Sequence, residues 1–204
     1  GGWWMDSDIA KARLKRPDLV LEGTMIRLIP FDLRHRDDPA YLKWLHDYDV
    51  IKTLHLPHYV STPVSYAEVA SYCDQLAASD TDLMLAMHHR ADDAFIGTLK
   101  AGHIDWYSRI ADIGVMIGDK NYWGRGLAKD AIYTLGKFLF AEIRIRKIVC
   151  GSMAINATMI ATFKQLGFQQ EACFRDQDRF EGGFCDHIHL GCFASELRDP
   201  SLSR

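Results

Sequence analysis

The sequence lacks any long hydrophobic run, and no apolar stretch reaches the ~18 residues that would suggest a membrane-spanning helix. Its first residues show no positively charged segment followed by an apolar one, so we expect no signal peptide and a cytoplasmic location. No internal repeat and no low-complexity linker interrupts the chain. These absences predict a protein with no membrane partner. They also predict that the chain is not divided into several domains.

The chain also carries little net charge, −3 at pH 7 with a pI near 6.3. This balance argues against nucleic acid as the main partner. The cysteines are odd in number and lack metal-type spacing, so we interpret them as reduced, mostly buried thiols. His88 and His89 have no third ligand at an obvious spacing, and we expect no metal site. The cysteines are Cys73, Cys150, Cys173, Cys185 and Cys192.

The composition is that of a globular protein, with 204 residues of which 48% are hydrophobic and 25% are charged. This is enough apolar material for one core. Residues 1–22 look poor in core residues, and we interpret them as an N-terminal arm or as an extension added for expression. Residues 23–204 are then expected to form a single domain.

Local patterns predict helices and strands in the order β-α-α-β-β-β-α-β-α-β-β. Asp38 before Pro39 is typical of a helix start, and Ser65 with Glu68 has the spacing of a capping box. The predicted helices cover residues 37–47, 61–79, 126–143 and 156–168, and the predicted strands cover 25–31, 82–90, 94–106, 109–118, 147–153, 168–180 and 184–193. The result is an α/β (α+β) fold with a central sheet of mixed direction.

The stretch YWGRGLAKDA places a glycine-rich turn between a predicted strand and a long helix. A helix N-terminus offers free N–H groups and the positive end of the helix dipole, and glycines let an anion approach closely. The motif is neither a Walker loop nor the GxGxxG fingerprint, whose third glycine would stand at Lys129. The turn therefore predicts a phosphate or pyrophosphate cradle, although a tight turn built only for packing would look similar.

Several ordered segments together resemble the GNAT superfamily of acyl-CoA N-acyltransferases, in particular its RimJ/RimL-like branch. They are IRLIPF, FIGTLK, ADIGVMIG, YWGRGLAKDA, NATMIATFKQLGF and FRDQDRFEGGFCDHIHLG, spread over about residues 24–195. The resemblance implies a mostly antiparallel central sheet flanked by helices. It also implies acetyl-CoA as cosubstrate and direct acetyl transfer to an amine within a ternary complex.

The resemblance further implies which residues hold acetyl-CoA. Backbone N–H groups of the turn would bind the pyrophosphate, and the preceding strand would lend its backbone to the pantetheine arm. Asn156 matches a family asparagine near the cofactor, although it could equally be a helix N-cap. The full set is Val115, Met116, Ile117, Trp123, Gly124, Arg125, Gly126, Leu127, Ala128, Asn156, Phe163 and Lys164.

The candidate catalytic base is Asp112, which stands where this branch commonly has a glutamate. A solvent-facing position or an ion pair with Arg109 is the alternative. The proton donors to the leaving thiolate that the family often uses are replaced here by Phe163 and Met159. The resemblance therefore leaves the source of that proton open.

The acceptor cleft is implied to lie between the first helices and the last hairpin, with Trp44, Tyr59, Trp106 and Arg179 as its candidate residues. Aromatic faces and mixed charge favour a small amino compound, such as an amino sugar or a nucleotide-linked amino sugar. A protein N-terminus is the alternative acceptor. A CoA-binding module without catalysis, an interaction protein with a purely structural turn, and a homodimer also stay open.

Overall fold

The structure is a computed structural model that describes residues 5–54 and 61–202. Within these residues the chain forms helices and strands that we number in chain order. The helices are α1 Ser7–Leu14, α2 Leu33–Arg36, α3 Pro39–His46, α4 Tyr48–Ile51, α5 Tyr66–Ala78, α6 Leu127–Ala141 and α7 Ala157–Gln165. The strands are β1 Leu21–Glu22, β2 Ile26–Pro30, β3 Leu83–His89, β4 Phe95–Ala101, β5 Ile110–Ile117, β6 Lys147–Met153, β7 Gln169–Phe180 and β8 Gly183–Phe193.

The strands form one sheet in the order β1-β2-β3-β4-β5-β6-β8-β7. Every neighbouring pair is antiparallel except β5 and β6, which run parallel. A parallel pair needs a long crossover connection, and α6 provides it. The predicted mixed, mostly antiparallel sheet flanked by helices is therefore confirmed.

The predicted helix starts are built as expected. Asp38 accepts a hydrogen bond from the backbone of Ala40 (2.9 Å) with Pro39 in the first turn of α3. Ser65 and Glu68 form a reciprocal capping box at the start of α5, with both bonds at 3.2 Å. These interactions span only two or three residues, which is why the sequence pattern was sufficient to find them.

The main core lies between the sheet and α6, with α1 packed against it. Ala10, Leu14 and Leu19 are completely buried in this core, and Leu21 of β1 pairs with β2. The description of residues 1–22 as poor in core residues is therefore wrong for its described part. Three or four apolar residues are enough to dock a short helix when a matching surface exists, and the sequence does not display that surface.

A second core cluster joins α3, α4 and α5 to the sheet. Its centre is Trp44, only 7% exposed, whose ring packs against Phe95 (centroids 4.9 Å apart) and Tyr41 (6.3 Å). Trp44 was predicted to line the acceptor cleft, and this is corrected: its burial makes it a packing residue. Aromatic residues bury more area than any other side chains, so an anchor of this kind stabilises the short helices.

Neither a membrane helix nor a metal cluster emerges from residues 5–54 and 61–202. No helix there is long and apolar enough to cross a membrane. The same residues contain no group of three His, Cys, Asp or Glu side chains that could hold a metal ion.

Candidate active site

Strands β5 and β6 separate along their length. They pair at only three positions, Ile110–Asp112 with residues 147–149, although β5 continues to Ile117 and β6 to Met153. Among the described strands, the second half of β5 pairs only with β4 on its other side. A V-shaped gap therefore opens in the middle of the sheet, with unpaired backbone groups along its edges.

This gap widens into a cavity of about 500 Å³. Its walls come from β4 and β5 on one side, β6 and β8 on the other, the N-terminal part of α7, and the segment after α4. The lining residues are Thr53, Leu54, Lys100, Gly102, Asp112, Ile113, Gly114, Val115, Gly151, Ser152, Met153, Asn156, Met159, Phe163 and His187. The lining therefore combines apolar side chains with a few polar groups, as ligand sites commonly do.

The backbone of β5 faces the gap at alternate residues. The carbonyl of Asp112 accepts from Gly102 on the β4 side (2.8 Å), so the alternation directs the N–H and C=O of Val115 toward the gap. Ile117 also points its carbonyl that way, where the indole N–H of Trp123 donates to it (2.9 Å). Met116 instead buries its side chain in the second core cluster. Val115 therefore presents its backbone N–H and C=O to the gap.

The glycine turn lies at the end of β5. Gly124 and Gly126 both have φ of 74°, a region that favours glycine. Gly126 is the N-cap of α6, and no side chain of the described residues caps that helix. Nothing in the described chain lies within 4 Å of a Cβ built on Gly124, and at Gly126 only Met25 comes that near, at 3.9 Å. The free N–H groups are open to an anion, which fits the pyrophosphate of acetyl-CoA.

The remaining residues of the turn hold it in place. Leu127 is buried in the main core, and Trp123 is tied to Ile117 by the bond described above. Arg125 is exposed and stacks over the ring of Tyr122, with 4.8 Å from the guanidinium carbon to the ring centroid. Ala128 follows in the first turn of α6. The turn is therefore anchored by its two ends while its glycines stay accessible.

Asp112 lines the cavity at the point where β5 and β6 part. Its carboxyl is open to the cavity, but protein surrounds it on the other sides, and this partial burial raises its pKa. The nearby side chains of His189 and Lys100 oppose that rise. Arg109, the alternative partner, donates instead to the Met5 carbonyl and the Ser7 hydroxyl, and no ion pair joins it to Asp112 within the described residues.

Residues at the start of α7 and within it line the cavity, but they bring little hydrogen-bonding capacity. Met159 and Phe163 both face it, so the two positions where the family often has a proton donor are apolar. Asn156 starts the helix without capping it through its side chain, and its amide lies 3.5 Å from the hydroxyl of Thr53. Lys164 is exposed on the outside of α7 and is not among the described lining residues.

His187 lines the cavity but was not among the predicted catalytic, cofactor-binding or acceptor residues. Its Nδ1 lies 2.7 Å from Oδ2 of Asp178, which is 3% exposed. The alternation of His187 and His189 on the last strand was the available signal. The partner could not be found from sequence, because β7 contains two extra residues between its pairings with His187 and Cys185. Such a bulge redirects side chains in a way that strict alternation does not predict.

The predicted acceptor residues do not gather around this cavity. Trp44 is in the second core cluster, and Tyr59 lies outside the described residues. Trp106 donates to the carbonyl of Asp80 (3.0 Å) and helps to form a separate shallow recess. Arg179 is exposed on β7. Thr53, Lys100 and His187 are polar side chains that line the cavity and were not among the predicted acceptor residues.

A family comparison identifies this arrangement. Residues 26–169 match the family described as "Acetyltransferase (GNAT) domain". The chain belongs to the GNAT acetyltransferase family. It is therefore an acetyl-CoA-dependent N-acetyltransferase, and the predicted resemblance to the GNAT superfamily is confirmed.

Two proteins with similar sequences are described only as N-acetyltransferases. The chain is 31% identical over 94 residues to the uncharacterized N-acetyltransferase p20 of Bacillus licheniformis, a match that covers 46% of this chain and 52% of that protein. It is 21% identical to the probable N-acetyltransferase YjcK of Bacillus subtilis (strain 168), over 82% of this chain and 93% of that protein. Neither description names an acceptor.

Solved structures share the fold at low identity. RimL, a ribosomal L7/L12 alpha-N-protein acetyltransferase in complex with coenzyme A, has a TM-score of 0.74 and 19% identity over 86% of this chain and 98% of that one. Spermidine N-acetyltransferase from Vibrio cholerae, in complex with CoA and spermine, has a TM-score of 0.76 and 14% identity over 85% and 98%. These likenesses show the fold, which hosts both protein and small-molecule acceptors.

Proposed function

We propose that this acetyltransferase moves the acetyl group of acetyl-CoA to the primary amine of a small molecule, by direct attack within a ternary complex. The cavity supports this proposal, because it joins the β5–β6 gap to the polar residues around Asp112. Cys150 is 1% exposed, and burial, reinforced by the nearby Asp112, raises the pKa of its thiol far above the usual range. A covalent acetyl-cysteine is therefore disfavoured, and direct transfer follows.

Asp112 prepares the acceptor for attack. A lysine-like amine with a pKa of about 10.4 is only ~0.04% neutral at pH 7, a deficit of about 4.6 kcal/mol. A carboxylate beside the acceptor attracts the ammonium form and takes its proton, directly or through a water. Because partial burial raises the pKa of Asp112, this carboxylate is a stronger base than one on the surface.

The proposed acetyl-CoA site uses the same residues that the resemblance implied. The turn from Trp123 to Ala128 holds the pyrophosphate through its backbone, and Val115 pairs with the pantetheine arm. Asn156 and Phe163 lie along the cavity toward α7. Lys164 lies further out, where a 3′-phosphate could reach its ammonium group. Backbone N–H groups are the donors best suited to this task, since they are fixed in direction before the ligand binds.

Two contacts that bridge the walls on the acceptor side favour a small acceptor. Tyr48 of α4 donates to Glu181 at the tip of the β7–β8 hairpin (2.9 Å), and the amide of Asn156 approaches Thr53 (3.5 Å). A folded protein bringing its N-terminus to Asp112 would have to displace contacts of this kind. Lys100 stands beside Asp112, so the cavity is mixed in charge and does not favour a polyamine. An amino sugar or a nucleotide-linked amino sugar fits this balance.

The alternative acceptor is a protein N-terminus. An α-amine has a pKa of about 7.7–8.0 and needs less help from a base than a lysine-like amine does. The similar fold of RimL, described as an alpha-N-protein acetyltransferase, motivates this alternative. A homodimer and a cytoplasmic location also stay predictions, which sedimentation of the purified protein and cell fractionation would measure.

The testing experiment measures free-thiol release from acetyl-CoA across a panel of amines. The panel holds amino sugars, nucleotide-linked amino sugars, aminoglycosides, polyamines and short peptides with free N-termini. We expect thiol release with amino sugars or nucleotide-linked amino sugars. Release with peptides alone would replace the small acceptor by a protein N-terminus. No release, combined with stabilisation by acetyl-CoA, would favour the CoA-binding module without catalysis.

A further inference from the structure

The β7–β8 hairpin contains an irregularity next to the cavity. Phe174 pairs with His187, but the next pairing joins Asp178 to Cys185, so β7 carries two extra residues at this point. Asp176 within the bulge has φ of 48° and donates its backbone N–H to Asp186 (2.8 Å). The bulge thereby brings the carboxylate of Asp178 beside the imidazole of His187. Bulges that redirect a side chain in this way are common next to active sites.

The contact between Asp178 and His187 determines which nitrogen of the imidazole carries the proton. The buried carboxylate of Asp178 accepts from Nδ1 of His187 at 2.7 Å, which fixes the proton on Nδ1 and leaves Nε2 with its lone pair. On the other side, the ring lies over Gly151, where a built Cβ would come within 2.5 Å of Nε2. Both His187 and Gly151 line the cavity, so the imidazole of His187 forms part of its wall.

The same cavity lacks a proton donor where the family often has one. Met159 and Phe163 line it with a thioether and a phenyl ring, neither of which can donate a proton to sulfur. A leaving thiolate nevertheless gains a proton before or after it departs. His187 is placed within this cavity and can carry a proton in both directions.

We propose that His187 is a catalytic residue that carries a proton from the acceptor nitrogen to the departing sulfur, with Asp178 as its positioning residue. This inference rests on the proposed direct transfer and extends it. A histidine that is oriented by a carboxylate can serve first as a base and then as an acid, and the proposed roles of His187 and Asp178 follow this principle.

The transfer forms one C–N bond and breaks one C–S bond. An ammonium acceptor loses two protons in becoming an amide, and the departing sulfur gains one. Asp112 accepts the first proton and releases it to solvent, and the neutral amine then forms the C–N bond. Nε2 of His187 accepts the second proton from the nitrogen of the tetrahedral adduct. As the C–S bond breaks, the same proton passes to sulfur, and His187 returns to its neutral form.

The test compares His187→Gln, His187→Ala and Asp178→Asn with the wild type, using whichever amine of the panel gives thiol release. We expect His187→Gln to lower kcat by about 10²–10⁴-fold while acetyl-CoA still raises the melting temperature as in the wild type. Exogenous imidazole should restore part of kcat in His187→Ala, where the ring has left space. Asp178→Asn should lower kcat with an unchanged acetyl-CoA affinity.

The matched control is His89→Gln. His89 has the same kind of partner, with Nδ1 at 3.2 Å from Asp92, but it is not one of the described lining residues of the cavity. This variant should keep the wild-type kcat. A kcat in His187→Gln within about threefold of wild type, or a His187→Ala variant that imidazole leaves unchanged, would overturn the inference. Thiol release with peptides alone would overturn the proposed small acceptor, and the His187 comparison could still be made on that peptide.

Discussion

At the scale of single residues, Asp112, the proposed base, occupies a position that has a cost in stability. Its side chain borders the gap between β5 and β6, and partial burial raises the pKa of its carboxyl. A group whose pKa is higher in the folded than in the unfolded chain disfavours folding once the pH is high enough to ionise it. Its ionisation is therefore useful for the chemistry and unfavourable for the fold.

The first prediction concerns Asp112→Asn. We expect kcat to fall by about 10²-fold or more, with an unchanged acetyl-CoA affinity. The melting temperature at neutral pH should rise, because the variant no longer buries a charge. This gain should disappear as the pH falls below the ordinary pKa of an aspartate, about 3.9, where the wild-type carboxyl is protonated in both states. Unchanged turnover at neutral pH would remove Asp112 from the mechanism.

The second prediction concerns the glycine turn. Acetyl-CoA should raise the melting temperature of the wild type, and Gly126→Glu should abolish that rise, because bulk and negative charge enter the anion cradle. The control is Gly182→Glu in the β7–β8 turn, where φ is 79° and nothing in the described chain lies within 4 Å of a built Cβ. Both variants should lose about 1–2 kcal/mol of stability from backbone strain, but only Gly126→Glu should lose the response to acetyl-CoA.

At the scale of elements, contacts distant in the sequence hold the parts of the site in register. Asp130 of α6 accepts hydrogen bonds from the backbones of Thr24, Met25 and Ile26, between 2.7 and 3.0 Å, and so ties the start of β2 to the helix behind the glycine turn. Helix α1 docks beside it through Leu14. The N-terminal segment is therefore part of the scaffold that positions α6.

The third prediction tests this role of α1. Leu14→Ala should lower the free energy of unfolding by about 2–5 kcal/mol, because Leu14 is completely buried in the main core. Ile9→Ala on the same helix is the control, since Ile9 is 51% exposed and its truncation should change stability by less than about 0.5 kcal/mol. Urea denaturation measures both. Equal, small effects would mean that residues 1–22 are a detachable arm after all.

At the scale of the whole molecule, the parts that sequence reasoning found are those decided by neighbours in the chain. The caps at Asp38 and Ser65 depend on residues at most three positions away. The turn at Gly124 and Gly126 needs only a positive φ and the start of a helix. The resemblance to a family added the mostly antiparallel character of the sheet and the cosubstrate, which local patterns do not specify.

The parts that it missed depend on which segments meet. Trp44 on a short helix could equally line a cleft or fill a core, and only the position of β4 decides that it packs on Phe95. The partner of His187 depends on a two-residue bulge in β7. Two extra residues keep the side chains on the same face but shift the pairing register by two positions, so a pattern of alternation alone could not pair Asp178 with that histidine.

The sequence by itself therefore determined the helix starts, the anion cradle and, through its family resemblance, the acetyltransferase fold. The tertiary structure decided the shape and the lining of the cavity. These features are the separation of β5 from β6, the burial around Asp112, and the contact between Asp178 and His187. The physical reason is how far apart in the chain the interacting residues lie. Caps and turns are set by hydrogen bonds within a few residues, whereas the cavity is set by the packing of strands more than thirty residues apart in the chain.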